Sequence, residues 1–163
     1  MTLINKIKVV GVGGSGSNAV SRMARYNING VELIVINTDD QDLKKAKADF
    51  KIRIGKITTQ GLGAGMNPEI GRKSATENRK EIEESLKGSD LIFITCGLGG
   101  GTGTGAAPII AEIAQELKIL TLAVVTKPFL FEGELRMKIA QNGIKRLKEK
   151  VDTLIVISND KLL

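Results

Sequence analysis

The stretch GVGGSGSN, Gly11 to Asn18, decides how the rest of the chain is read. It follows the apolar run IKVV and precedes AVSRMARY, whose apolar residues fall at helical spacing, so the glycines stand at a strand-to-helix turn. Written as Gly11-x-Gly13-x-x-Gly16, with Asp39 and Asp40 downstream, the stretch fits a dinucleotide-binding fingerprint in letters and roughly in spacing. Two ligands are open at this point: a nicotinamide dinucleotide, or a different phosphate compound.

Outward from this turn, apolar and β-branched runs recur with helical patterns between them. They are KIKVV (6–10), ELIVI (32–36), FKIRI (50–54), DLIFIT (90–95), ILTLAVVT (119–126) and DTLIVIS (152–158). Runs apolar at nearly every position predict parallel strands covered on both faces by crossover helices. The spacing predicts helices near 18–26, 40–47, 68–87, 103–117 and 133–150. The expected fold class is α/β: a three-layer, doubly wound, Rossmann-like parallel sheet of strand order 3-2-1-4-5-6, in one domain over residues 1–163. The closing NDKLL reads as a helix just beginning, with Asn159 or Asp160 as cap and Leu162 and Leu163 as its first apolar positions, which predicts more protein after it.

Of 19 glycines, 15 lie in three clusters, at 11–16, 55–71 and 97–105. Clusters at strand ends point to backbone approaching a ligand. In the expected strand order, strands one and four are neighbours, and ligands bind in the crevice beyond their carboxyl ends. The first cluster follows strand one and the third, GLGGGTGTG, follows strand four. Both loops then open on one crevice with a helix behind each, so two positive helix ends and a set of N–H groups converge on one anion. A dinucleotide fold needs only the first loop; the second points to a ligand with more phosphate to wrap.

Neither loop is a P-loop, because Ser17 and Asn18 follow Gly16 where that motif requires Lys and then Ser or Thr. Neither holds a Lys or Arg. Phosphate charge would be met by amides, the Thr102 and Thr104 hydroxyls, the helix ends and a magnesium ion. The middle cluster, GLGAGMNPE, ends in Asn67-Pro68-Glu69, a helix cap and first turn. Its small residues suit a loop that folds over a terminal phosphate or, equally, an ordinary surface loop.

The 163 residues, 42% hydrophobic and 26% charged, suffice for one sizeable core. No apolar run approaches the roughly 18 residues of a membrane span, and MTLINK lacks the apolar centre of a secretion signal, so the expected location is cytoplasmic without direct membrane insertion. The single cysteine, Cys96, excludes an internal disulfide, and the lack of histidine excludes His-based zinc sites and Ser-His or Cys-His catalysis. A net charge of +6 raises nucleic acid as a partner. Against it, most Lys and Arg sit beside acids at helical spacing, and one Tyr, four Phe and no Trp leave few stacking platforms. Nucleic acid is not the expected partner; the most basic helix, Arg136 to Lys150, suits contact with an acidic one.

GLGGGTGTG (97–105) resembles the signature of the tubulin/FtsZ family of GTPases. NTDDQDL (37–43), GLGAGMNPE (61–69), TKPFLFEGELRM (126–137) and ISNDKLL (157–163) are similar to that family's segments in order and spacing. The resemblance implies a guanine-nucleotide-binding domain that takes GTP or GDP with Mg²⁺. It further implies self-association head to tail into filaments for the division ring at midcell, with division-ring adapter proteins as further partners. By the same resemblance Gly14, Ser15, Gly16, Ser17 and Asn18 would follow the α and β phosphates and the base, with the Asn18 side chain reading guanine's edge. Gly99, Gly100, Gly101, Thr102, Gly103, Thr104 and Gly105 would cradle phosphates, and Ala64, Gly65 and Met66 would face the γ-phosphate. Glu132 and Arg136, one helical turn apart, would reach the ribose and the nucleotide, with Asn37 and Asp39 beside the site.

In that family a second subunit inserts a carboxylate-bearing loop that orients the attacking water. The loop, the central helix before it and a second base-recognising aspartate would lie beyond Leu163, so no catalytic residue and little hydrolysis are expected of this chain alone. Three features depart from the family. Glu134-Leu135 stands where basic residues often precede the arginine, Met66 is larger than the usual Ala or Gly, and the charge is +6 where family members are commonly acidic. Plainer roles stay open: Asn18 or Asp39 as helix caps, Glu132 and Arg136 as a surface ion pair, Cys96 as a small buried residue. So do two other functions, an NAD-dependent oxidoreductase using the Gly11 to Gly16 fingerprint and a polymer module that uses nucleotide only as an assembly switch.

Overall fold

The structure is a computed structural model and describes residues 6–162. Six parallel strands form one sheet: β1 (Ile7–Val12), β2 (Val31–Asn37), β3 (Phe50–Arg53), β4 (Leu91–Gly97), β5 (Leu120–Lys127) and β6 (Thr153–Ser158), in the order β3-β2-β1-β4-β5-β6. Between them run α1 (Gly13–Met23), α2 (Asp40–Lys45), α3 (Pro68–Glu77), α4 (Arg79–Leu86), α5 (Thr102–Glu116) and α6 (Glu134–Lys148). The expected strand order and α/β class hold.

Period-two alternation within each strand divides the core. Val10, Val12, Ile34, Ile36, Ile92 and Ile94 point to one face, where Ala75, Ile82, Leu86, Ile110, Ala140 and Leu147 of α3 to α6 meet them. Val9, Leu33 and Val35 point to the other, against Val20 of α1 and Leu43 of α2. Each fully buried Ile contributes about 1.5–3 kcal/mol over an exposed one. β6 departs from the expectation of a strand covered on both faces: it is an edge strand, Leu154 packs on the core, and Ile155 is 47% exposed.

Three helical segments differ from the sequence expectation, the first two for a physical reason. α1 begins at Gly13 rather than near residue 18, with Gly13 at φ +74° turning the chain straight from strand to helix. The low helix propensity of GGSGSN is overridden by packing, since a Cβ on Gly16 would stand 2.6 Å from the Thr95 carbonyl of β4. The helix expected over 68–87 breaks at Asn78, whose side-chain oxygen accepts from Gly55 N at 2.8 Å while its backbone leaves helical geometry (φ −108°, ψ 24°). At the end of the chain a 3₁₀ turn spans Asn159–Leu162; Leu163 lies outside the described residues.

Candidate functional site

β1 and β4 pair in register, Val12 beside Cys96, so the segments that follow them leave the sheet side by side at the point where strand order reverses. The helices they lead into start almost in contact. A Cβ on Gly13 would stand 3.1 Å from Gly103 N, which places the N-termini of α1 and α5 at one mouth of the sheet. Each leaves its first N–H groups without intrahelical partners and carries a partial positive charge.

These two helix starts floor a cleft of about 440 Å³. Gly14, Ser15, Gly100, Gly101, Thr102 and Gly103 line the floor. The end of β2 supplies Asn37, Thr38 and Asp39, the middle glycine loop supplies Leu62 to Gly65, and the chain after β5 supplies Pro128, Glu132 and Arg136. Gly100 and Gly65 have open space where a Cβ would be, so backbone is available there to a ligand. Other glycines of the third cluster that line the cleft are also required by packing: a Cβ on Gly101 would meet Gly65 O at 2.5 Å, and one on Gly103 would meet Gly97 O at 2.8 Å.

The walls are built from side chains that satisfy backbone. Asn37 is buried; its oxygen accepts from Thr38 N at 2.8 Å, and its amide donates to Ser17 Oγ at 3.5 Å. Asp39 caps α2, one carboxylate oxygen accepting from Gln41 N and Asp42 N at 2.9 and 3.0 Å, which bears out the plainer role open to it. The Thr38 and Thr102 hydroxyls share a hydrogen bond of 2.7 Å beneath the cleft. The Thr104 hydroxyl accepts from Gly99 N at 2.9 Å and so closes the turn after β4 from inside.

On the far wall Glu132 accepts from Phe129 N at 2.6 Å, and its other oxygen lies 3.8 Å from the Arg136 guanidinium. Phe129 and Phe131 stack at 4.8 Å, and the Asp160 carboxylate accepts from Leu130 N at 3.2 Å, fixing this segment against the end of β6. The lining side chains carry three carboxylates, Asp39, Asp42 and Glu132, and one guanidinium, Arg136. Positive potential for an anion therefore comes chiefly from main-chain N–H groups and helix ends. Cys96 lies below, against Gly103; burial pushes its thiol up to about 12, so it is a small buried residue without thiolate chemistry.

Of the residues singled out in the sequence, Gly14, Ser15, Asn37, Asp39, Ala64, Gly65, Gly100, Gly101, Thr102, Gly103, Glu132 and Arg136 line the cleft. Gly16, Ser17, Asn18, Met66, Gly99, Thr104 and Gly105 do not line it. Asn18 is exposed inside α1, one turn beyond Gly14, so the N-cap role left open for it is ruled out. Thr38, Asp42, Pro128 and Asn159 line the cleft and were not singled out as site residues. Their signal was positional: Asp42 lies one helical turn from Asp39, and the others directly follow or close strands whose carboxyl ends all face this mouth.

This geometry has relatives. The family description "Tubulin/FtsZ family, GTPase domain" matches residues 6–163. The chain is 60% identical over 157 residues to the cell division protein FtsZ of Pseudomonas aeruginosa, covering 96% of this chain and 40% of that protein. It is likewise 60% identical to the cell division protein FtsZ of Buchnera aphidicola, of which it covers 41%. A solved structure described as an empty FtsZ dimer of M. jannaschii superposes with a TM-score of 0.95 at 55% identity, over 96% of this chain and 46% of that one. The chain thus spans about two-fifths of the length of the curated relatives it matches. The oxidoreductase alternative finds no support in these likenesses, and it leaves the second glycine loop on the same cleft without a purpose. Fold, site and kinship agree: the chain belongs to the tubulin/FtsZ family and corresponds to its GTPase domain.

Proposed function

We propose that the cleft binds a guanine nucleotide and that the chain is the nucleotide-binding part of a filament-forming GTPase of cell division. The observation that carries this reading is the juxtaposition of two lysine-free helix starts, Gly13 against Gly103, beside open backbone at Gly100 and Gly65. At about 1.5–3 kcal/mol for each hydrogen bond to a charged group, several amides supply the roughly 8 kcal/mol of micromolar affinity. Gly14, Ser15 and Gly100 to Gly103 would hold phosphates, Asn18 would read the base from the exposed side of α1, and Ala64 and Gly65 would face the terminal phosphate. Glu132 and Arg136 would reach the sugar.

The cleft fits an anion that brings its own cation. Its side chains are net acidic, and no group of three or more metal-ligating side chains exists among the described residues. Mg²⁺ would therefore be held mainly by phosphate oxygens and water, supplying charge neutralisation there. Two of the three cleft carboxylates, Asp39 and Glu132, already accept backbone N–H groups, which supports slow hydrolysis by this chain alone. Turnover would need a neighbouring subunit of a head-to-tail filament, consistent with the dimer named for the M. jannaschii relative, and recruitment to midcell would need adapter proteins.

Calorimetric titration with GTP, GDP, ATP and NAD, paired with a phosphate-release assay, tests the reading. Saturable binding of GTP and GDP with negligible release is expected. Uptake of NAD with indifference to guanine nucleotides would overturn it, and brisk release by the isolated chain would remove its second half.

A further inference from the structure

The charge of the chain is unevenly placed. The nucleotide-type cleft is net acidic, yet the whole sequence carries +6. A second concavity, of about 720 Å³, lies at the other end of the sheet, where α1 ends and β2 and β3 begin. Its rim carries Arg25, Lys44, Lys47 and Lys51, all exposed, against the single acid Asp49. Asp49 is already engaged, because its carboxylate accepts from Leu33 N at 2.8 Å. Among the described residues none of the four cations is in an ion pair.

Cations near helix C-termini ordinarily offset the dipole, which accounts for Lys44 in the last turn of α2 and Arg25 just past α1. Lys51 on β3 reaches the same end of α2, its Nζ donating to the Lys44 carbonyl at 3.5 Å; the dipole does not account for Lys47, which lies beyond α2. The floor is apolar: Met23, Ala24 and Val31 are half-buried, and Ile28 stands 48% exposed beside them.

We infer that this groove is a docking surface for an acidic amphipathic peptide segment of a partner protein, with aliphatic side chains on the Met23–Val31 floor and carboxylates on the four-cation rim. Charge complementarity calls for a polyanion, and the lining and shape of the groove select the peptide among polyanions. A single nucleic-acid strand needs stacking rings along its path, and no aromatic residue lines the groove; the exposed rings of Tyr26 and Phe50, next in sequence to lining residues, stand outside it. An anionic membrane surface takes a protruding apolar face, whereas here the apolar atoms lie in a concavity. Because α1 starts at the cleft and ends at the groove, the two sites stand at opposite ends of one helix and both can be filled at once. The inference stands independently of which nucleotide the cleft takes.

The test is fluorescence anisotropy of the whole chain with a labelled Glu/Leu amphipathic peptide of about four helical turns, run beside labelled oligo-dT and phosphatidylserine vesicles. Saturable peptide binding that weakens with added salt is expected, and the double variant K44E/K47E is expected to weaken it about tenfold. The double variant K145E/K148E on α6 makes the same change in net charge away from the groove and is expected to leave binding unaltered. Melting temperature and nucleotide affinity of both variants serve as folding controls. Absence of saturable binding, equal weakening by the two double variants, or tighter binding of oligo-dT or vesicles than of peptide would overturn the inference.

Discussion

Thr38 Oγ1 and Thr102 Oγ1 lie 2.7 Å apart, both side chains buried, and this one hydrogen bond ties the end of β2 to the first turn of α5 beneath the cleft. The Thr59 hydroxyl, 3.4 Å from the Thr38 carbonyl, brings the middle loop to the same knot. Thr38→Val would leave the Thr102 hydroxyl without its partner in a buried place, at a cost of about 1–3 kcal/mol. Urea denaturation reads that loss, and Thr38→Ser is expected to recover most of it. Equal destabilisation by Val and Ser would show that the methyl packing, not the hydroxyl, matters.

Neighbouring glycines separate packing from ligand approach. Gly101→Ala puts a methyl 2.5 Å from Gly65 O and 2.9 Å from Ala64 Cβ, which displaces the middle loop and is expected to cost about 1–3 kcal/mol. Gly100→Ala meets nothing within 4 Å and should fold within about 0.5 kcal/mol of the parent. Because Gly100 lines the cleft, that variant should still lose nucleotide affinity. Thermal melts and titrations of the pair check both halves; unchanged affinity in Gly100→Ala would count against backbone approach there.

Glu77 anchors the start of the middle loop. Its carboxylate accepts from Ile57 N and Thr58 N at 3.0 Å each and from the Thr58 hydroxyl at 2.7 Å, and these bonds, led by that from Ile57, hold its pKa below the ordinary 4.5. A carboxyl depressed in the folded state stabilises fully above its unfolded value, and that contribution fades as pH falls through the lowered one. Amide exchange at Ile57 and Thr58, corrected for intrinsic rates, is therefore expected to speed up below pH 4.5, and Glu77→Gln should remove that pH dependence. Protection that persists unchanged in acid would contradict the anchor.

How much of this was legible in the chain depended on which force set each feature. The two-faced parallel sheet follows from the apolar runs, and the shared mouth from glycines placed after strands one and four once the strand order usual for a doubly wound sheet is adopted. The start of α1 was not legible, since Gly13 to Ser17 are poor helix formers held helical only by contact with β4. The break at Asn78 was hidden for the same reason: it answers a need at Gly55, 23 residues away in sequence. At the site, Thr38 and Asp42 escaped notice because single hydroxyls and carboxylates carry no period. The inward-turned Thr104 could not be told from the cleft-lining Thr102 without knowing which way α5 faces.

Cys96, fully buried with its thiol pushed up to about 12, should resist alkylation in the native state at pH 8 and react only when the chain unfolds. Rapid labelling by iodoacetamide without denaturant would mean that the turn above it opens readily.

The central claim is that main-chain amides at two helix starts grip phosphate together. Backbone amide NMR shifts on titration with GDP, compared with guanosine alone, test it most directly. GDP is expected to move the amides of Gly14 and Ser15 and of Gly100 to Thr102 in one saturable transition, while guanosine leaves them largely in place. Shifts confined to one of the two helix starts, or equal responses to GDP and guanosine, would contradict it.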